Sequence, residues 1–207
     1  MSTAHGEQVR ILEQEGEQKG RSLEWWGMVF FICSEALIFA NFIAAYLYLE
    51  IRNGGDWRLD NILFPAINTV ILLSSSAFAH MAGTGIRKGN QNQLRLGLIG
   101  TIVLGAIFLG GQAYEYTNLI GQGFTLSSVK QGPFGSAFYT LTGFHGFHVT
   151  IGVIFLLVCL IRSYNGHFTA KKHFAVEAAE LYWHFVDGVW VFVFSLVYLL
   201  PLFLGGK

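Results

Sequence analysis

Five long apolar runs constrain this chain more than any other feature of its sequence. They cover about residues 23–49, 62–82, 96–114, 135–161 and 176–203. A helix needs about 20 apolar residues to cross a hydrocarbon layer ~30 Å thick. Of the 13 basic and 13 acidic residues, only five lie inside the runs: Glu24, Glu35, Glu177, Glu180 and Asp187. The strands of a β-barrel would instead alternate apolar and polar residues over ~10 positions, and the runs show no such alternation. The sequence therefore predicts an all-α integral membrane bundle of five transmembrane helices.

The low charge content excludes several classes of protein. Charged residues make up 13% of the chain, against about 25% in typical soluble domains. The formal net charge is zero, so the basic face of a nucleic-acid-binding protein is lacking and no nucleic-acid partner is expected. The sequence contains no Walker loop, dinucleotide-binding glycine motif or Cys-x-x-Cys pair. We therefore expect no nucleotide site and no obvious redox cofactor in this chain.

The basic residues outside the runs predict the orientation in the membrane. With five crossings, the N-terminal tail and the segments 83–95 and 162–175 share one side and carry nine Lys and Arg residues, whereas the other side carries four. Cytoplasmic loops are rich in Lys and Arg, so we expect a cytoplasmic N-terminus and an external C-terminus. Residues 1–22 then form a polar cytoplasmic tail, and residues 23–207 form the transmembrane domain.

Glu35 lies near the middle of the first run. A charged carboxylate at the bilayer centre costs about 2.5–3.5 kcal/mol on insertion scales. We therefore expect Glu35 to be protonated or hydrogen-bonded to a polar partner. It is either a proton-active or lipid-contacting carboxyl, or a neutral acid held in helix packing.

Two histidines of the fourth run, His145 and His148, are three residues apart and can face the same way. Such a pair could bind a metal or haem if His80 and His184 completed the site. No Cys or Glu close in sequence supports that interpretation. We expect His145 and His148 to be helix-packing residues that form hydrogen bonds between helices.

The fifth run carries a polar face. Its ionisable residues recur at spacings of three, four and three residues, which places them on one side of a helix: Glu177, Glu180, His184 and Asp187. A polar face on an apolar helix must turn toward protein or water. It could be a proton relay, a lipid-headgroup site or a network at a subunit interface.

The segment before this run is basic and contains Arg162, His167, Lys171, Lys172 and His173. A cytoplasmic basic cluster attracts anionic lipid headgroups by about 1 kcal/mol per charge. We expect Arg162 and His173 to join Glu177, His184 and Asp187 in binding a lipid headgroup or in a polar network. The alternative is that these charges only set the topology.

Small residues recur every four positions on two runs, at Ala36, Ala40 and Ala44 and at Gly97, Thr101 and Gly105. Such stripes let helix backbones approach closely within a membrane. Both therefore predict helix contacts.

Residues 182–187 read Tyr-Trp-His-Phe-Val-Asp and are followed by Val189 and Trp190. This motif resembles the signature of the subunit III family of haem–copper terminal oxidases. The resemblance extends along nearly the whole chain, through residues 34–35, 67–69, 143–149, 167–169 and 173–174.

The resemblance implies a non-catalytic accessory subunit with no redox metal of its own. Its expected partners are subunit I, which carries the haems and copper, subunit II, other oxidase subunits and membrane phospholipid. Glu35 matches the family's intramembrane glutamate beside a lipid-filled cleft, and Arg162 matches a basic residue near lipid phosphate. Such subunits support proton uptake by subunit I and slow its inactivation during turnover. The five-helix form is typical of bacterial oxidases, which implies the bacterial plasma membrane.

Departures from the family pattern limit the transfer. Longer members have seven helices, whereas this sequence lacks the first two, so the resemblance does not identify what forms the other wall of the cleft; extra helices of subunit I are one source. Longer members often carry a histidine where this chain has Gly83 and Thr84, and many have a small residue in place of Glu180.

The expected function is that of subunit III of a cytochrome c oxidase, which couples oxygen reduction to proton pumping. A quinol oxidase or a relative associated with nitric oxide reductase shares the same motifs. A protein of another class, a stand-alone proton conductor that uses Glu35 and the polar face of the fifth run, is the further alternative.

Overall fold

The computed structural model describes residues 22–52, 62–126 and 133–201. These ranges contain five long α-helices: α1 (Leu23–Arg52), α2 (Leu63–Arg87), α3 (Gln91–Gly121), α4 (Pro133–Tyr164) and α5 (Phe174–Phe194). A π-helical turn, Ser195–Leu199, continues α5. All five helices are long and apolar enough to cross a membrane, and the described ranges contain no β-strand beyond an isolated bridge between Thr169 and Lys172. The predicted all-α, multi-pass membrane fold is confirmed.

The helices extend beyond the apolar runs because polar residues supply their ends. The third helix begins at Gln91, five residues before its run, and the side chain of Asn90 caps it by accepting a hydrogen bond from the backbone N–H of Gln93. The tail 1–21 and the end of the fifth run lie outside the described residues. The side of the membrane on which each terminus lies stays a prediction.

The chain divides into two compact units. The described part of the first comprises residues 22–34, where the rings of Trp25 and Trp26 meet edge to face at 5.1 Å. The second unit begins at Glu35 and contains the remainder of α1 and all of α2 to α5.

In the second unit, α2 packs on α3, α3 on α4, α4 on α5, and α5 returns to α2. The close approach of α2 and α3 depends on Gly97, because a Cβ there would lie 2.6 Å from the backbone nitrogen of Ala82. Thr101 Oγ1 donates to the carbonyl oxygen of Ser75 at 3.4 Å. At Gly105 the ring of Trp183 fills the space of a side chain. The helix contacts predicted from this stripe are confirmed.

The other small-residue stripe behaves differently. Ala36, Ala40 and Ala44 are exposed, so the contact predicted for them is not made with the described residues of the second unit. That part of α1 instead meets α4 through long side chains. Phe39 packs on Phe144 with ring centroids 5.0 Å apart.

Candidate functional site

The intramembrane carboxyl of Glu35 pairs with a histidine of α4. Glu35 Oε2 lies 3.0 Å from His148 Nε2, and the Glu35 and His148 side chains are 18% and 5% exposed. The other ring nitrogen, His148 Nδ1, donates to the carbonyl oxygen of Phe144 at 2.8 Å. The polar partner that the position of Glu35 demands is therefore a residue 113 positions further along the chain.

The two hydrogen bonds of His148 define the protonation states of the pair. A carbonyl oxygen only accepts, so Nδ1 keeps its proton. One more proton then lies between Glu35 Oε2 and His148 Nε2. Either a neutral Glu35 donates to a bare Nε2, or an imidazolium donates to a carboxylate. Both states have zero net charge, which lowers the cost of placing the pair within a membrane.

Aromatic rings surround the histidine of the pair. The rings of Phe39 and Phe144 lie 4.9 and 4.5 Å from the imidazole of His148, centroid to centroid. Tyr182 Oη donates to the backbone carbonyl of His148 at 3.2 Å and ties α5 to this turn of α4. The pair is thus insulated around His148 and more open at Glu35.

The neighbouring histidine, His145, is fully buried and packs between aromatic rings. Its centroid is 4.6 Å from that of Trp190 and 5.9 Å from that of Phe108. Neither of its ring nitrogens has a hydrogen-bond partner among the described residues. The hydrogen bond between helices that we expected is therefore made by His148 and not by His145, because rings occupy the surroundings of the latter.

Two tryptophans of α5 bond to hydroxyls of α2. Trp183 Nε1 donates to Ser75 Oγ at 2.8 Å, and Trp190 Nε1 donates to Thr69 Oγ1 at 2.9 Å. Both tryptophans are buried. Since lipid supplies no hydrogen-bond partner, these bonds hold the two helices in a fixed register.

The polar face of α5 also turns toward α2. Ser76 Oγ donates to Asp187 and lies 3.0 Å from His184 Nδ1. Because the one hydroxyl proton goes to the carboxylate, Nδ1 of His184 carries its own proton and donates to Ser76. The expected polar network is thus a contact between two helices of this chain.

One turn nearer the start of α5, Glu180 faces the end of α2. Its Oε1 lies 3.0 Å from His80 Nδ1 and 3.9 Å from His184 Nε2, and its Oε2 lies 3.5 Å from Arg87 Nη1. Gly83 leaves room for this carboxyl group, because a Cβ at that position would collide with it. The two departures noted in the sequence, Gly83 and Glu180, therefore fit each other.

The remaining candidate site residues lie in or beside the segment between α4 and α5. His173 Nε2 lies 3.2 Å from Glu177 Oε1, which is also 3.6 Å from Arg87. Arg162 is exposed and its guanidinium lies 5.5 Å from the centre of the Phe168 ring. His173 and Glu177 therefore join the polar face, whereas Arg162 lies exposed in the last turn of α4.

Comparison with known proteins identifies the family. Residues 17–201 match the family described as cytochrome c oxidase subunit III. The chain is 44% identical over 183 residues to a cytochrome c oxidase subunit 3 of Marchantia polymorpha, covering 84% of this chain and 67% of that protein. The chain belongs to the cytochrome c oxidase subunit III family. Similar relatives named cytochrome c oxidase subunit 3 come from Thermostichus vulcanus, 41% identical over 86% of this chain and 87% of the relative, and from Synechocystis sp., 42% identical over 91% and 80%.

As a subunit III, the chain is a multi-pass membrane protein of a respiratory complex with other oxidase subunits. The segment 182–187, which begins the resemblance, supplies several of the bonds that α5 makes to its neighbours. Tyr182 reaches α4, and Trp183, His184 and Asp187 reach α2. In this subunit III the signature therefore serves to join three helices.

Sequence reasoning identifies His80 but misses two other partners on α2, Ser76 and Arg87. Ser76 has no role in the prediction, and Arg87 lies in the segment 83–95, whose basic residues predict only the topology. A signal was present, because Ser76, His80 and Arg87 follow one another at spacings of four and seven residues, which is one side of a helix. A polar side on α2 is the complement that the polar face of α5 requires.

Proposed function

We propose that the chain is the non-catalytic accessory subunit of an aerobic haem–copper oxidase that takes electrons from cytochrome c. It stabilises subunit I, binds phospholipid and supports proton uptake, while subunits I and II carry the haem and copper. It lies in a bacterial plasma membrane with its N-terminus in the cytoplasm. The observation that carries the proposal is the Glu35–His148 pair, a carboxyl group held inside the membrane by one histidine.

The position of the pair suits contact with a lipid. Arg162 follows His148 by 14 residues on α4, a distance of about 21 Å along nearly the same side of the helix. Half the thickness of a bilayer with its headgroups is about 20–22 Å. A phospholipid whose phosphate binds Arg162 would therefore extend its acyl chains to the depth of Glu35. The exposed apolar side chain of Ile38, which lies on the same side of α1 as Glu35, offers such chains a surface.

The protonation states of the pair suit a role in proton uptake. Its shared proton moves between Glu35 and His148 without changing the net charge of the pair, and the open side of Glu35 gives access to a further donor. A proton gained from or lost to that donor changes the net charge of the pair by one unit, and this charge is shared between the carboxyl group and the imidazole, which lowers the cost of holding it beside subunit I.

Replacement of Glu35 by glutamine tests this role. Glutamine keeps the size and one hydrogen bond of the side chain but replaces the titratable carboxyl group with an amide that cannot ionise. We expect unchanged haem spectra and an unchanged initial rate, but a severalfold shorter period of sustained activity or a loss of co-purified phospholipid. The measurement is oxygen consumption over time together with phosphate analysis of the purified complex.

Glu115→Gln is the matched control, because Glu115 is also a partly buried acid of a long helix, α3, and its carboxyl group likewise has one hydrogen bond, from Tyr198 at 3.0 Å. It should leave sustained activity and lipid content at the level of the unaltered complex. Loss of the haem spectra in Glu35→Gln would contradict an accessory role.

Purification and reconstitution separate this function from that of a stand-alone proton conductor. We expect the chain to be isolated together with haem-containing subunits, and the chain alone in vesicles to conduct no protons under an imposed membrane potential. Proton flux through the chain alone would contradict the proposal. An assay of the complex with reduced cytochrome c and with a quinol identifies the electron donor.

A further inference from the structure

Three metal-ligating side chains meet where the end of α2 packs on the start of α5. The nearest ligand atoms of His80, Glu180 and His184 all lie within 4.8 Å of one another. We propose that these three residues form a binding site for a divalent cation of the zinc type. The site is separate from the Glu35–His148 pair and does not depend on the function proposed above.

The donor set and its dimensions suit zinc. Two imidazoles and one carboxylate, with a water as fourth ligand, are a common zinc environment, with ligand bonds of about 2.0–2.2 Å. Two such ligands in a tetrahedron lie roughly 3.4 Å apart. The observed separations from Glu180 Oε1 are 3.0 Å to His80 Nδ1 and 3.9 Å to His184 Nε2. Small side-chain movements would therefore bring the three atoms around one ion.

His184 is already oriented as a metal ligand. Its Nδ1 donates to Ser76 Oγ, which in turn donates to Asp187. In the neutral imidazole this leaves the lone pair on Nε2, and Nε2 is the atom that faces Glu180. Histidine ligands commonly have their second nitrogen fixed in this way by an outer hydrogen-bond partner.

Glu180 is held so that one oxygen remains for the ion. Arg87 lies against Oε2, whereas both histidines face Oε1. The absence of a side chain at Gly83 provides the space that the carboxyl group occupies. The salt bridge to Arg87 thus orients the carboxylate without occupying the oxygen that would bind the ion.

The site has an open side. The side chain of His80 is 65% exposed and that of His184 39%, while Glu180 is only 11% exposed. An ion can therefore enter beside the histidines, and a water can complete its coordination.

The test is zinc binding by the purified complex, prepared with an affinity tag other than polyhistidine and titrated with Zn²⁺ against a chromophoric chelator. Loss of an outer hydrogen-bond partner costs about 10–100-fold in metal affinity. We expect at least this loss in His80→Gln and a loss within this range in Ser76→Ala. His167→Gln, which removes an exposed histidine outside the helices, should bind zinc as the unaltered complex does.

X-ray absorption at the zinc edge of the unaltered complex keeps the proposal testable if a variant fails to assemble. We expect a zinc ion with two imidazole ligands and two oxygen ligands. Equal zinc affinity in His80→Gln and the unaltered complex would overturn the proposal, as would a zinc spectrum without imidazole scattering. Titration of the isolated full chain distinguishes this site from zinc sites on other subunits, and failure of that chain to bind zinc would also overturn it.

Discussion

Replacement of Trp183 by alanine is expected to lower the free energy of unfolding of the chain by about 3 kcal/mol. Trp183 is fully buried, and its ring fills the spaces left by Gly105 on α3 and Gly152 on α4. Its indole N–H also donates to Ser75 on α2 at 2.8 Å. One side chain therefore contacts three helices, and its removal leaves a cavity at their meeting point.

The expected magnitude follows from the environment. Trp-to-Ala changes in protein cores cost about 3–5 kcal/mol. The lower end applies here because separated helices remain in lipid or detergent, which reduces the hydrophobic part of the loss. Thermal or denaturant unfolding of the purified full chain in detergent measures the change.

Two further variants test the cause of the stability loss in Trp183→Ala: one isolates the hydrogen bond, and the other is a control. Trp183→Phe keeps much of the ring but loses the hydrogen bond, and we expect a smaller loss that includes about 0.5–1.5 kcal/mol for that bond. Phe192→Ala removes an aromatic ring of the same helix that is 67% exposed, and it should have little effect on the isolated chain. An equal loss in Trp183→Ala and Phe192→Ala would contradict the packing described for Trp183.

Features that depend on one helix at a time could be predicted from the sequence. The five apolar runs predict the five helices because the length and the absence of charge are local properties. The spacing of Glu180, His184 and Asp187 likewise predicts one polar face, since it depends only on the pitch of α5. The stripe at Gly97 correctly indicates a close helix contact.

For features that depend on two helices, the sequence predicts that a partner is needed but does not identify the residue. The position of Glu35 demands a polar partner, but nothing in the spacing identifies His148, which lies three helices further along the chain. The sequence offers His80 and His184 only as ligands that would complete a site with His145 and His148. The structure instead places them beside Glu180, because α2 packs on α5 at that level. Which residues form these groups is determined by which helices pack together, and not by which residues are close in the sequence.

Removal of the whole subunit is the second change with a large expected effect. If the chain stabilises subunit I and supports proton uptake, an oxidase without it should start at a similar rate, because no redox centre is removed. Its activity should then decline after far fewer turnovers, since lipid and proton supply beside subunit I are disturbed. Adding back the purified subunit with phospholipid should restore the longer lifetime, and adding back the Glu35→Gln subunit should restore it only in part.

The most direct measurement is oxygen consumption by the complex with and without this subunit, followed from the first second until activity is lost. We expect similar initial rates, the same haem spectra and a severalfold shorter lifetime without the subunit. Equal lifetimes, or loss of the haem spectra when the subunit is removed, would contradict a non-catalytic role in sustaining the oxidase.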